Sequence, residues 1–228
     1  KTINNFLTLA RAWYNAGAHL EIYEGENPFS KIKRLVVPKS AVTACTTEER
    51  ELLLKTAQQQ GRDMHLYFAL GFFAGLRKDE IGHAAWDWID WDHHLIRIPA
   101  DQEWAPKNSK CAQVPLAARL REVLEMYHQG ETEGYIIAPD VAEQTARYRY
   151  EGREAFARVI QAAAKGQGKK KLKTQVTPHV LRHTFATELL KRGVSIAKVK
   201  EWCRHSSIQM TVDLYGHLAG YDDDIDRL

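Results

Sequence analysis

Cysteine is scarce in this chain: Cys45, Cys111 and Cys203 are the three among 228 residues. They are odd in number, far apart and without paired ligand spacing, which excludes a disulfide framework and a Cys-rich zinc site. Long apolar runs are also lacking. No stretch suits a transmembrane helix and no secretory signal is present, so a cytoplasmic protein away from membranes is expected. Internal repeats are absent, and low complexity is confined to the basic, glycine-containing loop Gly166 to Lys173. No carboxylate cage of the kind that holds Mg²⁺ can be found, so neither metal nor cofactor is expected. A large excess of charge is missing too: 32 Lys and Arg against 29 Asp and Glu leave a net +3, which says little about partners.

The distribution of charge says more than its sum. Between Lys165 and Lys200 ten Lys or Arg accompany a single acid, Glu188, whereas Asp222, Asp223, Asp224 and Asp226 make the tail acidic. An isolated basic run is commonly a solvated surface. A basic field around a candidate active site favours a polyanion, of which nucleic acid is the commonest.

The length accommodates one large domain, or one domain plus part of another. Ile3, Phe6, Leu7, Ala10, Trp13 and Tyr14 share one face at helical spacing, with Gly17 as terminator. Large aromatics without local partners predict the last helix of a separate domain, although a helix packed on the main domain fits the same pattern. The chain begins at Lys1 rather than methionine, which suggests a longer protein with an N-terminal neighbour. Asn27-Pro28 and Pro38 mark an irregular linker. The expected division is 1–24, 25–42 and 43–228.

Beyond that boundary a capping box, Thr46 with Glu49, opens a helix. Met64 to Leu76, apolar almost all round, predicts a buried central helix. Trp86 to Asp92 reads as a turn-rich aromatic patch. His94 to Ile98 and Ala112 to Leu116 read as a strand pair carrying Lys107 and Lys110 at its tip. Helices over Leu116 to Gln129 and Gln144 to Ala164 flank a short strand, Tyr135 to Ala138. Thr177-Pro178 is a helix start with proline at the first helical position. That helix ends at Gly193, Ser195 begins another to about Arg204, and Ser206 or Ser207 caps a third ending near Tyr215. The expected class is mainly α with a small antiparallel β-sheet, α+β.

Chemistry-bearing residues concentrate between His179 and His217. His179 and Arg182 share a helix face, and the positive end of the helix dipole supports an anion there. His179 and His183 have a metal-ligand spacing, but Val180 stands where the metalloprotease pattern requires glutamate. Arg77 closes the buried helix and needs an anion or a carboxylate, because its charge cannot be removed. Glu80 can serve as that partner, in a purely structural ion pair or while Arg77 keeps an edge for a phosphate.

These boxes resemble the catalytic domain of tyrosine recombinases of the phage integrase family. Ala74-Gly-Leu-Arg77-Lys-Asp-Glu80 resembles the family's first arginine box, and His179-Val-Leu-Arg182-His183 its His-x-x-Arg box. Cys203-Arg-His205-Ser-Ser to Tyr215-Gly-His217 resembles the segment leading to the nucleophile. Lys107, seven residues before Val114-Pro115, sits where the family places its hairpin lysine. The likeness spans about Thr46 to His217, and the residues before Pro28 resemble the end of the family's core-binding domain. Cys203-Arg204 replaces the usual Leu-Gly, which removes no functional group but puts Arg204 beside the site, where it alters packing or DNA contact.

The resemblance implies Tyr215 as nucleophile, forming a 3′-phosphotyrosyl link, with Arg77 and Arg182 on the non-bridging oxygens. Lys107 is implied as acid to the 5′-oxygen, His179 as an aid to proton transfer at Tyr215, His205 as donor to a phosphoryl oxygen, and Glu80 as a buttress. Lys110, Lys169, Lys170, Lys171, Lys173 and Arg204 are expected DNA contacts. Double-stranded DNA, a homotetramer on it, and accessory bending or directionality factors are the implied partners of a bacterial or phage-encoded enzyme. Two rivals remain open: a type IB topoisomerase and a non-catalytic DNA-binding protein on the same scaffold.

Overall fold

The structure is a computed structural model and describes residues 2–36, 43–100, 111–137, 152–165, 172–205, 207 and 211–212. The chain divides into two compact units, Lys1–Ala41 and Val42–Leu228.

The first unit is built on α1 (Thr2–His19). Gly17 lies inside this helix, which ends where Glu21 adopts a positive φ of 57° and Ile22 N donates to Gly17 O. The chain after it folds back and is tied by polar bonds. Arg11 donates to the carbonyls of Phe29, Ser30 and Ile32, and Asn4 exchanges bonds with the backbone of Leu35. Tyr14 packs edge-on against Tyr23 and Phe29. Leu7 is buried, whereas Phe6 is 67% and Trp13 74% exposed.

In the second unit, α2 (Thr47–Gln60) begins at the Thr46–Glu49 capping box. Glu49 also accepts from the backbone N–H groups of Lys173 and Thr174 and from the Thr174 hydroxyl, so a local cap doubles as a long-range tie. The central α3 (Arg62–Ala74) has buried residues on every side, including Leu66, Phe68, Leu70 and Phe72. Gly71 admits α7 (Pro178–Lys191): a Cβ there would meet the Leu181 side chain at 2.8 Å. Phe156 of α6 (Arg153–Ala164) stacks on Phe68 at 5.0 Å between ring centroids.

A three-stranded antiparallel sheet orders β1 (Ile89–Asp90), β2 (Leu95–Ile98) and β3 (Ala112–Pro115) in sequence. Ile96 pairs with Val114, and alternation puts Ile96, Ile98 and Val114 on the core face while Arg97 is exposed. β1 comes from the stretch expected to be a turn-rich aromatic patch. A 3₁₀ turn, Trp86–Trp88, buries two indoles and delivers the chain to it. The expected strand at Tyr135 is reduced to one antiparallel bridge with Ala85. α5 (Ala118–Tyr127) follows the sheet, and α8 (Ile196–Trp202) follows α7 after a Ser195 cap. The architecture is mainly helical with a small antiparallel sheet. Residues 144–151 of the helix expected over Gln144 to Ala164 lie outside the described residues, as do 138 of the expected short strand and most of the expected last helix.

Candidate functional site

The turn leaving α3 builds one side of the site. Gly75 adopts φ 58°, and a Cβ there would meet the Phe185 ring at 2.4 Å, so both conformation and space call for glycine. The turn lets a short helix start at once, α4 (Lys78–His83), with Arg77 as its N-cap. An arginine cannot accept a hydrogen bond, so only half of a capping box forms: Glu80 reaches back to Arg77 N at 2.7 Å.

Glu80 is 1% exposed and surrounded by guanidinium groups. Arg77 Nη1 donates to Oε1 at 2.6 Å, Arg204 Nε to Oε1 at 3.2 Å and Arg204 Nη2 to Oε2 at 2.6 Å. Arg182 Nη1 stands 4.0 Å from Oε2. Burial alone would raise the Glu80 carboxyl. Charge and hydrogen bonding from Arg204, then the Arg77 backbone N–H and charge, outweigh it and hold the group below the usual carboxylate range. Three arginines around one carboxylate leave a local excess of two positive charges.

α7 supplies Arg182, 5% exposed, whose Nη1 donates to Gly75 O at 2.6 Å. Its Nη2 is buried and has no hydrogen-bond partner among the described residues. Burial, followed by the charges of Arg204 and Arg77, lowers the Arg182 pKa to about 10, so it stays charged at neutral pH. A buried, charged, unpaired donor is costly, and such an edge is made for an anion.

The end of α8 closes this side. Arg204 adopts φ 51°, an αL conformation costing roughly 1–2 kcal/mol for a residue with a side chain. The sequence offered it either a packing role or a DNA contact. Its side chain turns inward, 7% exposed, and bonds Glu80, Gly75 O (2.9 Å) and Trp202 O (2.6 Å). Its own carbonyl accepts from Arg77 Nη2 at 2.6 Å. Bonds to charged partners contribute about 1.5–3 kcal/mol each, more than the strain.

His205 follows, with Nδ1 2.8 Å from the hydroxyl of the fully buried Thr211. Burial, then the charges of Arg182 and Arg77, push its pKa down to about 3; burial, then His179 and Arg182, push His183 down to about 4. Both imidazoles are neutral at pH 7. His179 is exposed on the first turn of α7. The Thr177 cap position is as expected, but its side chain makes no capping bond.

Arg77, Glu80, Arg182 and His205 therefore meet in space, joined by Arg204 and by Thr211, to which the motifs gave no role. Lys173 is exposed and held by its backbone at Glu49. Tyr215, Lys107, Lys110, Lys169, Lys170 and Lys171 lie outside the described residues.

Helices around a small sheet, with arginines from the α3–α4 turn and α7 converging on one glutamate, define the fold of an integrase catalytic domain. The structure resembles that of the Tn1549 transposon integrase in complex with a circular intermediate DNA, at a TM-score of 0.74 and 20% identity, covering 100% of this chain and 79% of that one. It also resembles the catalytic domain of bacteriophage HP1 integrase, at a TM-score of 0.58 and 22% identity over 80% and 92% of the two chains. Residues 44–220 match the model of the phage integrase family, and the chain belongs to that family. It is 24% identical to the ICEBs1 integrase of Bacillus subtilis over 96% of this chain and 62% of that protein. It is 28% identical to the tyrosine recombinase XerA of Thermococcus kodakarensis over 92% and 69%. The chain thus spans less than two thirds of the ICEBs1 integrase's length.

Proposed function

We propose that the chain carries the catalytic domain of a site-specific DNA recombinase that cuts and rejoins DNA through a 3′-phosphotyrosyl intermediate. The observation that carries this reading is the unpaired Arg182 Nη2 edge, held in a cluster whose net charge is positive. A phosphodiester supplies what the cluster lacks: an anion with two non-bridging oxygens, matched in geometry to planar guanidinium forks. DNA-bound relatives such as the Tn1549 integrase support the choice of substrate.

In the proposed step the Tyr215 oxygen attacks phosphorus, forming the P–O bond to tyrosine as the bond to the 5′-oxygen breaks. The phenolic proton leaves with the help of His179, and Lys107 gives a proton to the departing 5′-oxygen. Arg77 and Arg182 stabilise the charge on the non-bridging oxygens. In the tautomer with its proton on Nε2, where Nδ1 accepts from the Thr211 hydroxyl, a neutral His205 offers an uncharged donor to a phosphoryl oxygen. Retaining the ester energy in the phosphotyrosine lets another 5′-hydroxyl attack, so strand exchange needs neither ATP nor ligase.

A homotetramer on two duplexes, accessory bending factors, and a core-binding origin for residues 1–24 belong to the same proposal. Its test is the variant Tyr215→Phe on DNA fragments from the source element's ends. The expected result is retained binding without a covalent adduct on denaturing gels, with two-site recombination by the parent protein. An adduct that persists in Tyr215→Phe overturns the reading.

A further inference from the structure

Arg204 holds a positive φ of 51°, a backbone conformation that glycine adopts freely. A glycine there would still present its carbonyl to Arg77. It would not supply the guanidinium that spans Glu80 Oε1 and Oε2 at 3.2 and 2.6 Å and also reaches Gly75 O. Arg182 uses the same Gly75 carbonyl, and its Nη1 is 4.0 Å from the Glu80 oxygen that Arg204 Nη2 occupies. Two arginines therefore face one carboxylate edge, and Arg204 holds it at hydrogen-bond distance.

We propose that Arg204 is a positioning residue for the two site arginines: its guanidinium satisfies Glu80, its carbonyl fixes Arg77, and Arg182 is thereby left with a free edge for phosphate. The inference rests on the phosphodiester reading of this site and adds a residue to it. Without the Arg204 guanidinium, Glu80 draws Arg182 into a direct ion pair, and the edge that would meet phosphate turns toward the carboxylate. The local charge also falls by one unit, which weakens attraction for any anion.

The test compares the parent protein with Arg204→Gly, which keeps the αL backbone, and with Arg204→Lys, which keeps the charge without the fork. Two quantities are read on the same preparations: affinity for inorganic phosphate by titration calorimetry, and single-turnover covalent attachment to a nicked duplex from the source element's end. Arg204→Gly is expected to bind phosphate more weakly and to attach about 10- to 100-fold more slowly at saturating DNA, as a misplaced reacting group does. Arg204→Lys recovers part of both losses. Should Arg204→Gly not fold, Arg204→Lys alone carries the comparison, with weakened phosphate binding and slowed attachment as the expected result. Phosphate affinity equal to the parent's in a folded variant overturns the positioning role, even where the melting temperature falls. Phosphate affinity that drops in the variant while the parent forms no adduct upholds the positioning role and overturns the recombinase reading instead.

Discussion

Glu49 and Glu80 occupy the same place in two helices. Each is the third residue of its helix, each is buried, and each reaches back to the N–H of its N-cap. Their other partners differ. Glu49 takes uncharged donors, the N–H groups of Lys173 and Thr174 and the Thr174 hydroxyl. Glu80 takes guanidinium groups from Arg77 and Arg204, with Arg182 close behind. One carboxylate fastens a loop to a helix; the other organises positive charge that exceeds its own. A local motif thus reports how a glutamate begins its work, and the residues arriving from far along the chain decide what that work is.

Removing the Glu80 charge strains this comparison most. Glu80→Gln leaves Arg77, Arg182 and Arg204 facing one another without a counter-charge, and a loss of about 3–5 kcal/mol in urea unfolding is expected. An unchanged unfolding midpoint would break the contrast at its base. Arg182→Ala is expected to slow single-turnover covalent attachment about 10²- to 10³-fold, the effect of losing one preorganised donor to developing charge. Undiminished attachment would remove Arg182 from the phosphate contact. Glu49→Gln sharpens the other half: about 1–3 kcal/mol of stability is expected to go with its lost acceptors. Attachment per folded molecule should stay at the parent rate, and a specific loss of rate would show that Glu49 reaches the chemistry.

The smallest expected effect concerns pH. His183 and His205 have folded pKa values of about 4 and about 3, below the ordinary 6.5. As pH falls below 6.5 the unfolded chain takes up protons first, so stability declines from there through the folded values. Urea unfolding at stepped pH should show this decline, and His205→Asn should make it shallower. A decline that begins only below pH 4 would contradict neutral, buried imidazoles.

What could be read from the sequence follows from the range of each interaction. The Thr46–Glu49 cap joins residues three apart, and the buried all-round pattern of α3 is equally local, so both were legible. Arg77, Glu80, Arg182 and His205 were named from their boxes and the Arg77–Glu80 pair was expected, but the approach of Arg182 and Arg204 to the same carboxylate was not. Arg204 reaches Glu80 across 124 positions, and no local pattern distinguishes an inward arginine from a DNA-facing one. The replaced Leu-Gly pair pointed to packing or DNA contact at Arg204 without choosing between them. The six-residue α4 was missed because Arg77 reads as the end of α3, while the αL turn at Gly75 makes it the start of the next helix. Thr211 carried no signal at all; its role depends on the fold bringing His205 to its hydroxyl.

The most direct measurement is the site of covalent attachment. The protein is incubated with duplexes from the source element's ends, the trapped complex is digested, and the nucleotide-bearing peptide is identified by mass spectrometry. The account predicts one modified peptide, with the 3′-phosphate on Tyr215, and its disappearance in Arg182→Ala. A nucleotide attached to any other residue, or no attachment on DNA that the protein binds and recombines, would contradict it.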